Sequence, residues 1–195
     1  MPFYPKDAPV PEVFYTGDFF LKPLRTTDVE LDHAALMDSK EMLRQWSQSG
    51  WPPDNFSLSD NLVDLERHER EHIERKAFTF TVLDLDATKC LGCVYIKPLL
   101  PLVQHWNVSN VQLAQIRNYE AVVRFWVRQP YLEHNLDERL LNSLVDWFGS
   151  GEWAFSRATF LSKDSHSRQV SLYNELGFKL LYQDFPVKLK SVIYG

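Results

Sequence analysis

Hydrophobic positions along the chain fall into short runs with two different spacings. Glu120-Ala121-Val122-Val123-Arg124-Phe125-Trp126-Val127 is a nearly continuous apolar run rich in β-branched and aromatic residues, and it predicts a buried strand. After it, Leu136, Leu140, Leu141, Leu144, Val145 and Phe148 recur at three- and four-residue steps, which predicts a helix with one buried stripe. Phe78-Thr79-Phe80-Thr81-Val82-Leu83 and Leu91-Gly92-Cys93-Val94-Tyr95-Ile96, joined by a polar turn, predict an antiparallel hairpin. Further strands are expected over Phe19–Arg25, Arg157–Leu161, Phe178–Tyr182 and Val187–Tyr194. Helices are expected after Thr27 or Asp28, over Lys40–Gln48, and from a Ser59 or Asp60 cap to about Lys76, the last of these mostly solvated. The long connection 98–118 hides a short helix near Val111–Ile116 or lines a site.

Pro2, Pro5, Pro9 and Pro11 deny a helix to residues 1–17, which read as an extended arm ahead of a single domain over 18–195. A chain of 195 residues with 45% hydrophobic content can bury one sizeable core. Its net charge of −5 supplies no global basic field, so nucleic acid is not an expected partner. Apolar stretches such as Leu91–Ile96 fall well short of the roughly 20 residues that span a bilayer, so no membrane span is expected. The first residues lack a basic segment followed by an apolar run, and two cysteines make no disulfide framework, so a cytoplasmic protein is expected.

The helix-to-strand junction Ser171-Leu172-Tyr173-Asn174-Glu175-Leu176-Gly177-Phe178 has a glycine suited to a left-handed stop and sets Tyr173 against the turn. Tyr173 there is either a core aromatic or a phenol able to act as a general acid. A mixed sheet of about seven strands, antiparallel in its first half and ending in two helix crossovers, is the expected α/β (α+β) architecture. The order of elements, the Val127-Arg128-Gln129-Pro130-Tyr131 strand ending, and the Tyr173 junction together resemble the GNAT superfamily of N-acetyltransferases. The opening Leu21-Lys22-Pro23-Leu24-Arg25-Thr26-Thr27-Asp28 is similar to its ribosomal-protein N-terminal acetyltransferase branch.

This resemblance implies direct transfer of an acetyl group from acetyl-CoA to a primary amine on a small molecule or a protein. The proline arm packs on its own domain or reaches a neighbouring copy, so a monomer and a homodimer are both open. It implies that the central strand parts from its neighbour to admit the pantetheine, with backbone groups of Phe125, Trp126 and Val127 on the cofactor. The pyrophosphate would lie on the turn that opens the next helix, where the resemblance places Asn135, Leu136 and Asp137. Asn135 and Asp137 stand where the family's turn carries small residues, so a binding or regulatory protein that no longer uses acetyl-CoA is the alternative. Asn135 and Glu138 also fit a capping box that would satisfy the helix amides internally. Tyr173 matches the family's general acid, and Glu120 lies near a position where some members carry a base. His166 matches a pantetheine-contacting position or caps its helix. Trp46 and Trp51 belong to the region that walls the acceptor site, or anchor the core.

Two other motifs are set aside. His68-Glu69-Arg70-Glu71-His72 has the zinc-protease spacing, but charged flanks and the lack of a third ligand in sequence argue against a metal. Cys90-Leu91-Gly92-Cys93 enters a strand and has no second pair, so core thiols are expected.

Overall fold

The computed structural model describes residues 3–104, 106, 109–183 and 191–195. One eight-stranded sheet runs through it in the order β1-β2-β3-β4-β5-β6-β8-β7. The strands are β1 Phe14–Tyr15, β2 Phe19–Pro23, β3 Phe78–Asp84, β4 Cys90–Pro98, β5 Ala121–Val127, β6 Ala158–Lys163, β7 Leu180–Gln183 and β8 Ser191–Tyr194. The extra strand relative to expectation is β1, where the chain just after the prolines pairs with β2. Residues 187–190 of the expected last strand lie outside the described set.

Seven α-helices among the described residues cover the sheet: α1 Val29–Asp38, α2 Lys40–Ser47, α3 Leu58–Ile73, α4 Leu99–Val103, α5 Asn110–Ile116, α6 Leu136–Gly149 and α7 Ser167–Glu175. The α3 cap is Ser57, ahead of the expected Ser59 or Asp60; its hydroxyl accepts from Asp60 N, and Asp60 answers in a capping box. Alternation along β5 explains how the sheet is sandwiched. Val123, Phe125 and Val127 join a core with Leu140, Leu141, Leu144 and Trp147 of α6. Trp126 faces the opposite side with Leu36 and Leu43 of α1 and α2, and Val122 does so with Leu99 and Ile116 of α4 and α5. Helices on both faces leave β5 buried everywhere but at the half-buried Arg124, which is why it reads as a nearly continuous apolar run.

The position of the site follows from strand pairing. β5 pairs with β4 along its whole length, from Ala121↔Pro98 to Val127↔Gly92. It pairs with β6, in parallel, only at Ala121↔Ala158, Val122↔Thr159 and Val123↔Phe160. Beyond that point Leu161–Lys163 keep only β8, on the other edge of β6, so the two central strands part like a wedge. Gly92 holds the intact side of β5 in place, because a Cβ there would lie 2.2 Å from Trp126 O and 3.0 Å from Val127 Cα. Two backbones approach closely where only glycine fits. Gly92→Ala is therefore expected to cost about 3 kcal/mol, read as a lower urea midpoint; an unchanged midpoint would show that β4 and β5 move apart freely.

Candidate active site

The wedge opens onto two cavities that meet at Trp46. The smaller, of about 190 Å³, is lined by Phe125, Trp126 and Val127 on one side and by His166, Arg168 and Gln169 on the other. The larger, of about 430 Å³, lies on the α1–α3 side, with Asp32, Trp46, Trp51, Tyr95, Lys97 and Arg124 among its walls. Parting the strands strips Phe125 O of a strand partner, and two side chains replace it: Trp46 Nε1 donates at 3.0 Å and Gln169 Nε2 at 3.3 Å. A ligand amide that reaches Phe125 O does so by displacing one of them.

Tyr173 is buried from the other face of the sheet, its ring against Phe160, Phe178 and Tyr194. Gly177, with φ of 77°, makes the expected left-handed stop, and Phe178 N donates to Tyr173 O at 3.0 Å. The Tyr173 hydroxyl is buried with no hydrogen-bond partner among the described residues. Burial pushes this phenol well above the usual tyrosine range, and the nearby Arg124 guanidinium pulls the other way. Tyr173 and Arg124 are thus near enough to feel one another although they approach the sheet from opposite faces.

Arg124 was not singled out from sequence. Its guanidinium carbon sits 4.0 Å over the Trp46 ring, and Nη2 donates to Trp46 O at 3.3 Å. The signal was available in the alternation: Arg124 shares the covered face of β5 with Val122 and Trp126, where a charge requires a reason.

At the far end of the wedge, Asn135 takes φ 54° and ψ 35°, a left-handed conformation that asparagine tolerates better than most residues. The expected capping box is absent, because Asn135 makes no side-chain cap bond and its Oδ1 accepts from Arg168 instead. Arg168 also clamps Asp137 through Nε at 2.6 Å and Nη2 at 2.8 Å, and bonds Leu132 O at 3.0 Å. The α6 opening therefore has no side-chain cap, with a cation beside it that neutralises Asp137, an arrangement suited to an anion. Arg168 was missed because it comes 31 residues after Asp137. His166 is the N-cap residue of α7 without a cap bond; burial lowers its pKa, opposed by hydrogen bonds with the Gln45 backbone and Gln169.

Glu120 is placed apart from these groups. Its Oε2 accepts from Ser156 N at 2.7 Å and Ser156 Oγ at 3.1 Å, and it lines a separate cavity with Phe3 and Tyr4. Asp32 is the buried carboxylate of the larger cavity. It accepts from Asn61 Nδ2 at 2.9 Å and Cys93 Sγ at 3.3 Å, and burial raises its pKa to about 6. Cys90 and Cys93 are free, buried thiols. His68 and His72 face the sheet: His68 Nδ1 is 3.0 Å from Thr79 Oγ1, and His72 packs edge-on to Phe78 and Phe80.

No family model and no curated protein matches the chain. Solved structures do. A ribosomal-protein-S5-alanine acetyltransferase from Vibrio fischeri superposes with a TM-score of 0.66 at 14% identity, over 94% of this chain and 95% of that one. RimL, a ribosomal L7/L12 alpha-N-protein acetyltransferase solved with coenzyme A, gives 0.69 at 13% identity, over 94% and 96%. The microcin C7 self immunity acetyltransferase MccE, solved with acetyl-CoA and AMP, gives 0.66 at 16% identity, over 92% of each chain. The fold is that of the GNAT acetyltransferases, in keeping with the order of elements along the chain and the Tyr173 junction. No helix among the described residues is long and apolar enough to cross a membrane.

Proposed function

We propose that this protein is an acetyl-CoA-dependent N-acetyltransferase that moves the acetyl group to a primary amine by direct attack on the thioester. The observation that carries the proposal is the parting of β5 from β6 after Val123 and Phe160, which leaves a strand-sized opening in the middle of a sheet. Two neighbours of the same fold are named for complexes with coenzyme A or acetyl-CoA. The pantetheine would lie in that opening along Phe125, Trp126 and Val127, and the pyrophosphate would meet the amides of Leu136 and Asp137 beside Asn135 and Arg168. His166, on the wall opposite Phe125, would contact the pantetheine arm.

The amine would enter from the larger cavity, between Trp46 and Trp51. Its nitrogen attacks the thioester carbonyl carbon, the tetrahedral oxyanion collapses, the C–S bond breaks, the thiolate takes the Tyr173 proton, and the tyrosinate recovers a proton from the acylated nitrogen, which is left as a neutral amide. The ammonium must first lose a proton. Glu120 serves as that base only through a chain of waters, given its commitment to Ser156. Asp32, in the acceptor cavity and titrating near 6, is better matched to the task. The names of the neighbours include ribosomal-protein acetyltransferases, which supports a protein amine as one acceptor class to test beside small-molecule amines.

An acceptor screen with free-thiol detection tests the proposal. Amine-dependent release of coenzyme A is expected; acetyl-CoA binding with no release to any amine would favour a binding or regulatory protein instead. Asp137→Asn gives a finer check, since it removes a negative charge from the anion end and frees Arg168. Acetyl-CoA affinity should rise about threefold to tenfold in a titration, whereas weaker binding would mean that the Asp137–Arg168 clamp is itself what shapes the turn.

A further inference from the structure

The larger cavity carries a positive charge that its own walls do not balance. Arg124 enters it from the middle of β5. Of its five donors, Nη2 is used on Trp46 O, and Nε is buried without a partner among the described residues. No described carboxylate forms an ion pair with it, and burial pulls its pKa down while the two phenols nearest it, Tyr95 and Tyr173, stay protonated because burial raises both. Lys97 adds a second cation to the same cavity with no described ion pair, whereas Arg67 is held by Asp64 at 3.1 Å and Glu71 at 3.8 Å.

Among the described residues neither carboxylate of the cavity is ion-paired with Arg124 or Lys97. Asp64 is held by Arg67, and Asp32 by Asn61 and Cys93. A partly desolvated guanidinium without an anion is costly, and its planar fork matches a carboxylate or phosphate in two parallel hydrogen bonds. The stack of Arg124 on Trp46 fixes the plane of that fork. Trp51 and Tyr95 add apolar surface around it.

We propose that the larger cavity selects an amine that carries its own anionic group, a carboxylate or a phosphate monoester, seated on Arg124 with Lys97 at the mouth. The indoles of Trp46 and Trp51 hold the apolar part of such a molecule. Its role as acetyl acceptor rests on the transferase reading above; the recognition of the anion does not.

Matched pairs of ligands test this by calorimetry on the full chain without acetyl-CoA. L-Phenylalanine is compared with phenethylamine for the carboxylate, and phosphoethanolamine with ethanolamine for the phosphate. At least one anionic member should bind about tenfold or more tightly than its neutral-tailed partner, and the pair that shows it identifies the anion. Arg124→Gln should erase the preference and Arg124→Lys should keep part of it. Equal or weaker binding of both anionic members, no binding by any of the four, or a preference that survives Arg124→Gln would overturn the inference. If Arg124→Gln does not fold, the wild-type pairs and Arg124→Lys carry the test. A parallel acetyl-CoA titration separates the two claims: failure there with the amine preference intact removes the transferase reading alone, and cofactor binding without the preference removes this one alone.

Discussion

Tyr173→Phe is expected to lower the turnover of acetyl transfer about 100-fold or more, with acetyl-CoA affinity nearly unchanged. Thiolate expulsion needs a proton, and the Tyr173 hydroxyl is a buried donor with no hydrogen-bond partner among the described residues. Burial raises its pKa and so keeps it protonated, which suits an acid, but it also makes the proton hard to give to a thiolate whose conjugate acid lies near about 8.5. Arg124 is the group that opposes the rise, so its positive charge makes the proton easier to give. Phenylalanine keeps the ring contacts with Phe160, Phe178 and Tyr194 and deletes an unsatisfied hydroxyl, so stability should hold or improve. Steady-state kinetics beside urea unfolding separates the two effects. Unchanged turnover would remove Tyr173 from the chemistry and return it to the core.

The second large effect is on stability in acid. Burial holds His68 at a pKa of about 3 and His72 at about 4, against 6.5 for the free side chain. The folded state thus binds fewer protons than the unfolded one between these values. Their contribution is fully present above pH 6.5 and is lost as pH falls toward 4, at about 1.4 kcal/mol per pKa unit. Asp32 works in the opposite sense: its pKa is raised to about 6 from 3.8, so its protonation in the folded state favours folding as pH falls through 6. Two histidines outweigh one carboxylate, and the net loss from pH 7 to pH 4 is on the order of 4 kcal/mol. Urea midpoints across this range should fall steeply. His72→Phe, facing Phe78 and Phe80, should flatten the fall; a midpoint independent of pH would contradict the burial of both rings.

The strands and the amphipathic helices were legible because burial on one or two faces imposes a period that a sequence displays. The Gly177 stop and the Tyr173 junction were legible because a left-handed helix end selects glycine. What sequence did not show depends on distant parts of the chain. β1 exists because β2 offers an open edge, not because Phe14-Tyr15 has a strong pattern of its own. The capping box at Asn135 had the right letters, but Arg168 from α7 takes the asparagine oxygen. α3 read as a solvated helix by charge content, yet its two histidines turn toward β3, a distinction that one helical face makes and composition does not. Arg124 was visible as a charge inside an apolar strand and was passed over as part of the run.

The central claim is that acetyl-CoA lies in the opening between β5 and β6. A crystal structure with coenzyme A tests it most directly. The account predicts the pantetheine alongside Phe125–Val127, with Trp46 or Gln169 displaced from Phe125 O and the sulfur near the Tyr173 hydroxyl. Coenzyme A bound elsewhere, or no binding at millimolar cofactor, would contradict it.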